Sequence, residues 1–367
     1  MAPTNESLKL EVHPLRQTLY EELHSRPSPL VQTPCTISHV AMKMRDTERD
    51  DEHAHLARLC KRVGAVPPSP GASCYYQTLG DFELRWERHT EFSTYTFIRK
   101  TLGDPLEEPS ALSHIPDDWL EALPGRATTA LHLVFRRGDG PPEEAPLERY
   151  FEGQPLRGSL VRQRTAYLYS SFRLHSDGFA RIVLQALDLT ALQAGRLVQR
   201  VLEIETYRVM ALLALPVARE VTPEVGAMEL ELARINEALT SADEQLDQHA
   251  LLDELSNLAA RVERLRSDTT YRFAATNAYF DLVRERNREL TEEKIPGLQP
   301  IHVFIKRRLA PGIRTCNAVK DRLDGLSRRI SQTSSLLRAR VELSIQGQNS
   351  ELLASMNRRS EIQLRLQ

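Results

Sequence analysis

The hydrophobic period of this chain changes once, near Leu189, and that change limits the folds open to it. Upstream, apolar residues recur at every second position in short runs, the period of strands with one buried face. Downstream they recur at threes, fours and sevens, the period of helices that bury a stripe. The fold class this predicts is α+β: an N-terminal mixed, largely antiparallel sheet with helices, then a long-helix, coiled-coil-like C-terminal region. Composition agrees, since aromatics are 6% and charged residues 27% of 367, a balance that suits long amphipathic helices. The domains expected are 1–188, an α/β domain; 189–299, long antiparallel helices; and 300–367, one basic helix.

Pro14, Pro27, Pro29 and Pro34 allow only a short helix near Leu15–Leu23. Cys35–Met44 alternates as a strand, and Asp46–Val63 reads as a helix with Leu56, Leu59, Cys60 and Val63 on its apolar side. Tyr75–Glu87 reads as a further strand, followed by Glu91–Arg99 and Ala127–Arg136. Tyr167–Leu174 and Phe179–Leu187 flank His175-Ser-Asp-Gly178, a hairpin turn signal.

Beyond Leu189, Leu197, Val201, Ile204 and the apolar run Val209–Ala218 predict one long helix, ended or kinked at Pro216. That run is about half the length a helix needs to cross a bilayer, so it belongs to a buried core helix. Met228 through Leu265 carries a coiled-coil-like seam, and another helix is expected over Asp268–Glu293. The last helix is expected after Pro311-Gly312. There Val319, Leu323, Leu326, Ile330, Thr333 and Leu337 step 4, 3, 4, 3, 4. Its final turn, Leu364-Arg-Leu-Gln367, has no Gly, Asn or Pro stop, and the helix is expected to run on past it.

The formal net charge of -2 conceals an asymmetry: Pro300 to Gln367 holds thirteen cations and five anions, a net of +8, leaving -10 on the remainder. Such separation predicts different surroundings for the two regions. Cys35, Cys60, Cys74 and Cys316 are too scattered for a metal motif or disulfide framework and read as reduced thiols. The N-terminus lacks the apolar core of a signal peptide, and no stretch reaches the ~18 apolar residues of a membrane span.

No Walker loop, dinucleotide-binding glycine pattern, CxxC pair or HExxH occurs, so no cofactor or metal is expected. The run Asp50-Asp51-Glu52-His53-Ala54-His55 holds ligand types, but residues one and two apart on a helix do not share a face. It reads as a solvated helix start. Trp86-Glu-Arg-His-Thr-Glu-Phe92 packs Glu87, Arg88, His89 and Glu91 between aromatics. A Glu87–His89 pair on one strand face is able to move protons. The competing reading is a cross-strand ionic network beside a turn. His24-Ser-Arg26 is a polar loop tetrapeptide with Pro27. With Arg173, these residues define a candidate polar site: His24, Arg26, Glu87, Arg88, His89, Glu91 and Arg173. Arg200, Glu203, Glu205 and Arg208 read instead as structural ion pairs on a helix, Glu205 with Arg208 at i, i+3.

Arg307-Arg308, Arg328-Arg329 and Arg358-Arg359 are spaced to meet phosphates, but aromatics for base stacking are absent and the rest of the chain is acidic. Pairing with neighbouring acidic helices, and approach of the helix end to an anionic membrane face, are the favoured readings. Nucleic acid is not an expected partner.

Several blocks carry a family resemblance: Leu23-His-Ser-Arg-Pro27, Trp86 to Tyr95, Gly195 to Arg200, Leu202 to Arg208, Ala211 to Arg219, Tyr271 to Ala274, Arg307-Arg308, Thr315-Cys316 and Met356 to Arg359. From about Pro14 to Gln367 the chain resembles the DUF3422 family of bacterial membrane-anchored proteins of unknown function. In those proteins a hydrophobic membrane segment follows the equivalent of Leu364–Gln367. The resemblance implies that this sequence is the cytoplasmic portion of an inner-membrane-anchored protein, with Arg358, Arg359 and Arg365 nearest the membrane. In layout alone it is also similar to CorA-type magnesium channels, which implies self-association through long helices and an ion-transport or regulatory role. The alternative is an enzyme with its site at the sheet around His24, Arg26, Glu87 and His89; the third reading is nucleic-acid binding by the basic helix.

Overall fold

A computed structural model describes residues 12–22, 28–44, 49–240 and 248–366. The chain runs α1 (Arg16–Glu22), β1 (Cys35–Lys43), α2 (Arg49–Val63), β2 (Cys74–Leu79), β3 (Phe82–Arg88), β4 (Phe92–Lys100), α3 (Asp117–Glu121) and β5 (Arg126–Arg137). Then follow α4 (Glu144–Tyr150), β6 (Arg157–Val161), β7 (Ala166–Leu174), β8 (Ala180–Ala186), α5 (Ala191–Leu212), α6 (Ala214–Thr240), α7 (Gln248–Glu289), β9 (Glu293–Lys294) and α8 (Ile301–Leu366). Two compact units result: Met1–Val209 with Leu282–Lys306, and Met210–Asp281 with Arg307–Gln367.

In the first unit the described strands form one nine-stranded sheet, ordered β2-β3-β4-β1-β5-β8-β7-β6-β9. Every pairing is antiparallel except β5 with β8. The fold class is therefore α+β with a mixed, largely antiparallel sheet. Period-2 alternation assigns the two faces. On one, Trp86 opposes Tyr95 and Tyr95 opposes Val40, and all three pack on Leu56 and Leu59 of α2 and Trp119 of α3. On the other, Arg85 opposes Thr96 and Thr96 opposes His39. That second face lies under α5, where the His39 ring meets the Thr206 hydroxyl at 3.0 Å.

The second unit joins α6, α7 and α8 through a seam of Met228, Leu232, Ile235, Leu255, Leu258, Leu326, Ile330 and Leu337. Polar contacts run beside it: Arg322 donates to Glu229 at 2.7 Å, and Arg266 to Asp324 at 3.0 Å. Among the described residues no helix is long and apolar enough to cross a membrane.

Four element boundaries differ from the sequence reading. Tyr75–Glu87 is a hairpin rather than one strand, because Gly80, at φ +69°, opens a two-residue turn with Asp81. The break expected at Pro216 falls earlier, between Leu212 and Ala214. A proline ring collides with the carbonyl four residues back, here Leu212, so Pro216 sits in the first turn of α6. One helix, α7, covers both the later part of the expected seam and Asp268–Glu289; Leu246 of that seam lies outside the described residues. Finally, α8 begins at Ile301 and runs through Pro311. Beside that proline, Gly312 lets Leu212 and Leu215 come close, each with a methyl 3.3 Å from where a Cβ would stand.

Candidate functional site

The face of the sheet under α5 encloses a cavity of about 250 Å³. Strand side chains of alternate positions form one wall: Arg85 and Glu87 from β3, Thr94 and Thr96 from β4, His39 from β1. His89 and Phe92 close the β3–β4 end, their rings stacked at 4.4 Å between centroids. The opposite wall is α5, through Val198, Gln199, Leu202, Glu203, Thr206 and Tyr207, together with Arg286 of α7. These helix positions recur at threes and fours, so one face of α5 lines the space.

The charges in this cavity are paired but not exhausted. Arg85 donates from Nη2 to Glu87 Oε1 at 2.9 Å, and the two side chains keep 5% and 14% of their exposure. Across the space Glu203 accepts from Gln199 at 2.8 Å on Oε1 and from Arg286 on Oε2. Arg286 also donates to Glu289 at 2.9 Å, and Glu289 in turn pairs with Arg200. This chain of ion pairs fixes α5 to α7 at the cavity wall. Arg208 pairs instead with buried Glu205, at 2.7 Å.

His39 is fixed on both ring nitrogens, Nδ1 by Thr96 at 2.8 Å and Nε2 by Thr206 at 3.0 Å. Burial, with His89 and Arg85 adding to it, pushes its imidazole from 6.5 down to about 3. The unfolded chain therefore takes up this proton first. Stability from His39 is intact above about pH 6.5 and is lost at up to about 1.4 kcal/mol per pH unit as pH falls toward 3. His39→Gln keeps a donor and an acceptor but does not titrate. Urea unfolding of this variant between pH 6 and 4 is expected to show a pH slope shallower than wild type by about that amount, and equal slopes would contradict the assignment.

The sequence-derived candidates divide between the faces. Glu87 and His89 line the cavity; Arg88 points to the opposite face, donating from Nε to Glu52 at 3.0 Å. Glu91 is buried at the β3–β4 turn, outside the cavity wall. Arg173 is exposed on β7, in the other half of the sheet. His24 and Arg26 lie outside the described residues, although Pro29, a few residues on, is part of the wall. Arg358 and Arg359 are exposed on α8, while the Arg365 side chain lies outside the description.

The expected solvated start of α2 needs correction. Glu52 and His55 are fully buried. Glu52 accepts from Trp86 Nε1 at 2.6 Å, Tyr95 Oη at 3.0 Å and Arg88, and His55 stacks on Trp119 at 4.4 Å. This is a polar anchor behind the cavity's strands. Among the described residues no group of three or more potential ligands is placed to hold a metal ion. The cysteines are free thiols, and burial pushes that of Cys35 up to about 12.

The reading by residue type missed His39, Arg85, Thr94, Thr96, Tyr207 and Arg286. His39 shares strand parity with Ile37, and Arg85 with Glu87, so their common face was readable once the strands were paired. It also missed Ser171, whose hydroxyl lies 3.0 Å from His175 Nε2, with Glu152 3.5 Å from Nδ1. That hydroxyl is buried and also accepts the Arg173 amide, an arrangement that pins the bulge in β7. A second cavity, of about 390 Å³, includes Arg181 in its lining, but this guanidinium is already bound to the Tyr150 carbonyl, Glu152 and Asp177.

Fold and site together define an α+β protein with a small cavity of mixed charged and apolar lining between its sheet and a covering helix. The chain belongs to the DUF3422 family, described as proteins of unknown function, whose family model matches residues 11–367. No curated protein and no solved structure matches it.

Proposed function

We propose that the protein is an enzyme acting on a small polar molecule held in the 250 Å³ cavity, with Glu87 and His89 as its acid–base groups. One observation carries this reading: two arginines, two glutamates and two histidines, brought by strands, α5 and α7, converge on one concave space. Threonine hydroxyls hold both nitrogens of His39, and proton transfer is assigned to Glu87 and His89, which line the cavity.

The test begins with ligand-observed NMR of the full chain against a mixture of small metabolites. A bound molecule should lose its signal change in Glu87→Gln and His89→Ala. Turnover of that molecule is expected to fall by about 10²–10⁴ in each variant. No bound molecule, or binding indifferent to both substitutions, sinks the enzyme reading.

A second reading concerns the other unit, and an observation on α8 favours it. Ile345, Leu352 and Met356 step 7 and 4 and are all more than 45% exposed, beside Arg358 and Arg359. Such a face suits a second copy of the chain at the cytoplasmic side of a membrane. Light scattering should then give a dimer or larger species that Leu352→Glu reduces to monomer; a wild-type monomer at high concentration removes this reading.

A further inference from the structure

Resting on the enzyme reading of the cavity, we propose that its ligand is a small zwitterion with an apolar tail, of the α-amino-acid kind. Arg85 and Arg286 face Glu87 and Glu203, so the cavity holds both signs in equal number when its histidines are neutral. A ligand with net charge would leave one largely buried charge without a counterpart, which disfavours its binding. A ligand carrying one charge of each sign leaves the balance intact.

The spare bonding capacity sets where those two charges must lie. The Arg85–Glu87 pair uses one guanidinium nitrogen and one carboxylate oxygen. Glu87 Oε2 and the remaining Arg85 donors are left for a ligand. Those groups belong to a bonded pair, 2.9 Å from atom to atom, so the ammonium and carboxylate that meet them must themselves be close neighbours. Groups on the same carbon satisfy this; groups at the two ends of a long chain do not.

The rest of the wall accepts hydrocarbon. Phe92 and Ile98 of the sheet face Val198 and Leu202 of α5. A polar corner beside an apolar slot orients an amphiphilic ligand in one direction. The volume, about 250 Å³, lies below the roughly 300–1,000 Å³ of drug-sized sites, which favours a single residue over a longer peptide.

Isothermal titration of the full chain with L-leucine, isoamylamine and 4-methylpentanoate tests this directly, because the three share a hydrocarbon tail and differ in charge. L-valine, L-methionine and L-phenylalanine extend the first arm. At least one amino acid should bind at least tenfold more tightly than both single-charge analogues, and Glu87→Gln should weaken it about tenfold or more. Thermal melting and far-UV dichroism of Glu87→Gln check that the variant is folded. Binding of the amine or the acid as tight as any amino acid overturns the zwitterion and leaves the cavity reading standing. The same holds if a molecule of another class binds in a Glu87-dependent way while all four amino acids bind more weakly than about 1 mM. If nothing binds in either experiment, both readings fall.

Discussion

Replacing Glu52 by alanine should remove about 3–5 kcal/mol of stability, the cost of breaking a buried ion pair from one side. The carboxylate has no exposure and serves three donors that would lose their acceptor: Trp86 Nε1, Tyr95 Oη and the Arg88 guanidinium. Burial first, and then the Glu52 charge, raise the Tyr95 phenol far above its ordinary value, so it remains a donor. Arg88 keeps partial exposure and stacks over Trp86, 5.3 Å from the ring, which lets some of its charge reach solvent after the substitution. Glu52→Gln retains an acceptor oxygen and is expected to lose about half as much. Tryptophan fluorescence during urea unfolding reads this region specifically, since the chain's two tryptophans, Trp86 and Trp119, share the cluster with Tyr95. A loss below about 1 kcal/mol for the alanine variant would show that Glu52 is not the anchor of this face.

The same residue shows where sequence reasoning stops. Glu52, Leu56, Leu59 and Cys60 lie on one helical stripe, and all are buried. The spacing of ligand types within 50–55 argues for a solvated start, whereas Glu52 stands four residues before Leu56 on the buried stripe. A carboxylate can sit on a buried stripe only if distant donors reach it, and here they come from β3 and β4, which no local pattern reveals. Strands β1, β5 and β7 fall within a residue or two of the expected limits because alternation is local, whereas β6, only five residues long, left no such signal. The hairpin at Gly80 is written in the same local pattern, since the apolar positions shift from odd at Leu79 to even at Phe82, Leu84 and Trp86 across Gly80-Asp81. The break near Pro216 was visible in the chemistry of proline, with the displacement set by the carbonyl it collides with. Pro311 shows the opposite outcome, since α8 passes through it. Of the cavity's six arginines, glutamates and histidines, Glu87 and His89 follow from one local run of sequence. The rest is tertiary: strand pairing brings His39 and Arg85, and α5 and the end of α7 bring Glu203, Tyr207 and Arg286 from far along the chain. Arg88 separated from its neighbours for the reason that places it on a strand at all, since adjacent residues point to opposite faces.

Gly195 supplies the other large expected effect, and its sign is opposite to that of an ordinary helical glycine. Gly→Ala inside a helix normally stabilises by about 0.5–1 kcal/mol, through lower unfolded-state entropy and better propensity. At Gly195 a Cβ would stand 1.7 Å from the Pro29 carbonyl oxygen and 2.8 Å from its carbon. These are backbone atoms with no rotamer to yield, and the segment is held to α5 by the Val31 amide donating to the Ala191 carbonyl at 3.1 Å. Gly195→Ala must therefore push the Pro29–Val31 strand of chain away from the helix, at an expected cost of about 3 kcal/mol or more, the upper part of the overpacking range. Because Pro29 is also a wall residue of the cavity, any bound ligand should weaken in the same variant. Gly325→Ala on α8 provides the contrast: nothing lies within 4 Å of its added carbon, so a gain of about 0.5–1 kcal/mol is expected. Urea unfolding of the two variants side by side decides the matter, and a neutral or stabilising Gly195→Ala would overturn the close approach of α5 to the Pro29 backbone.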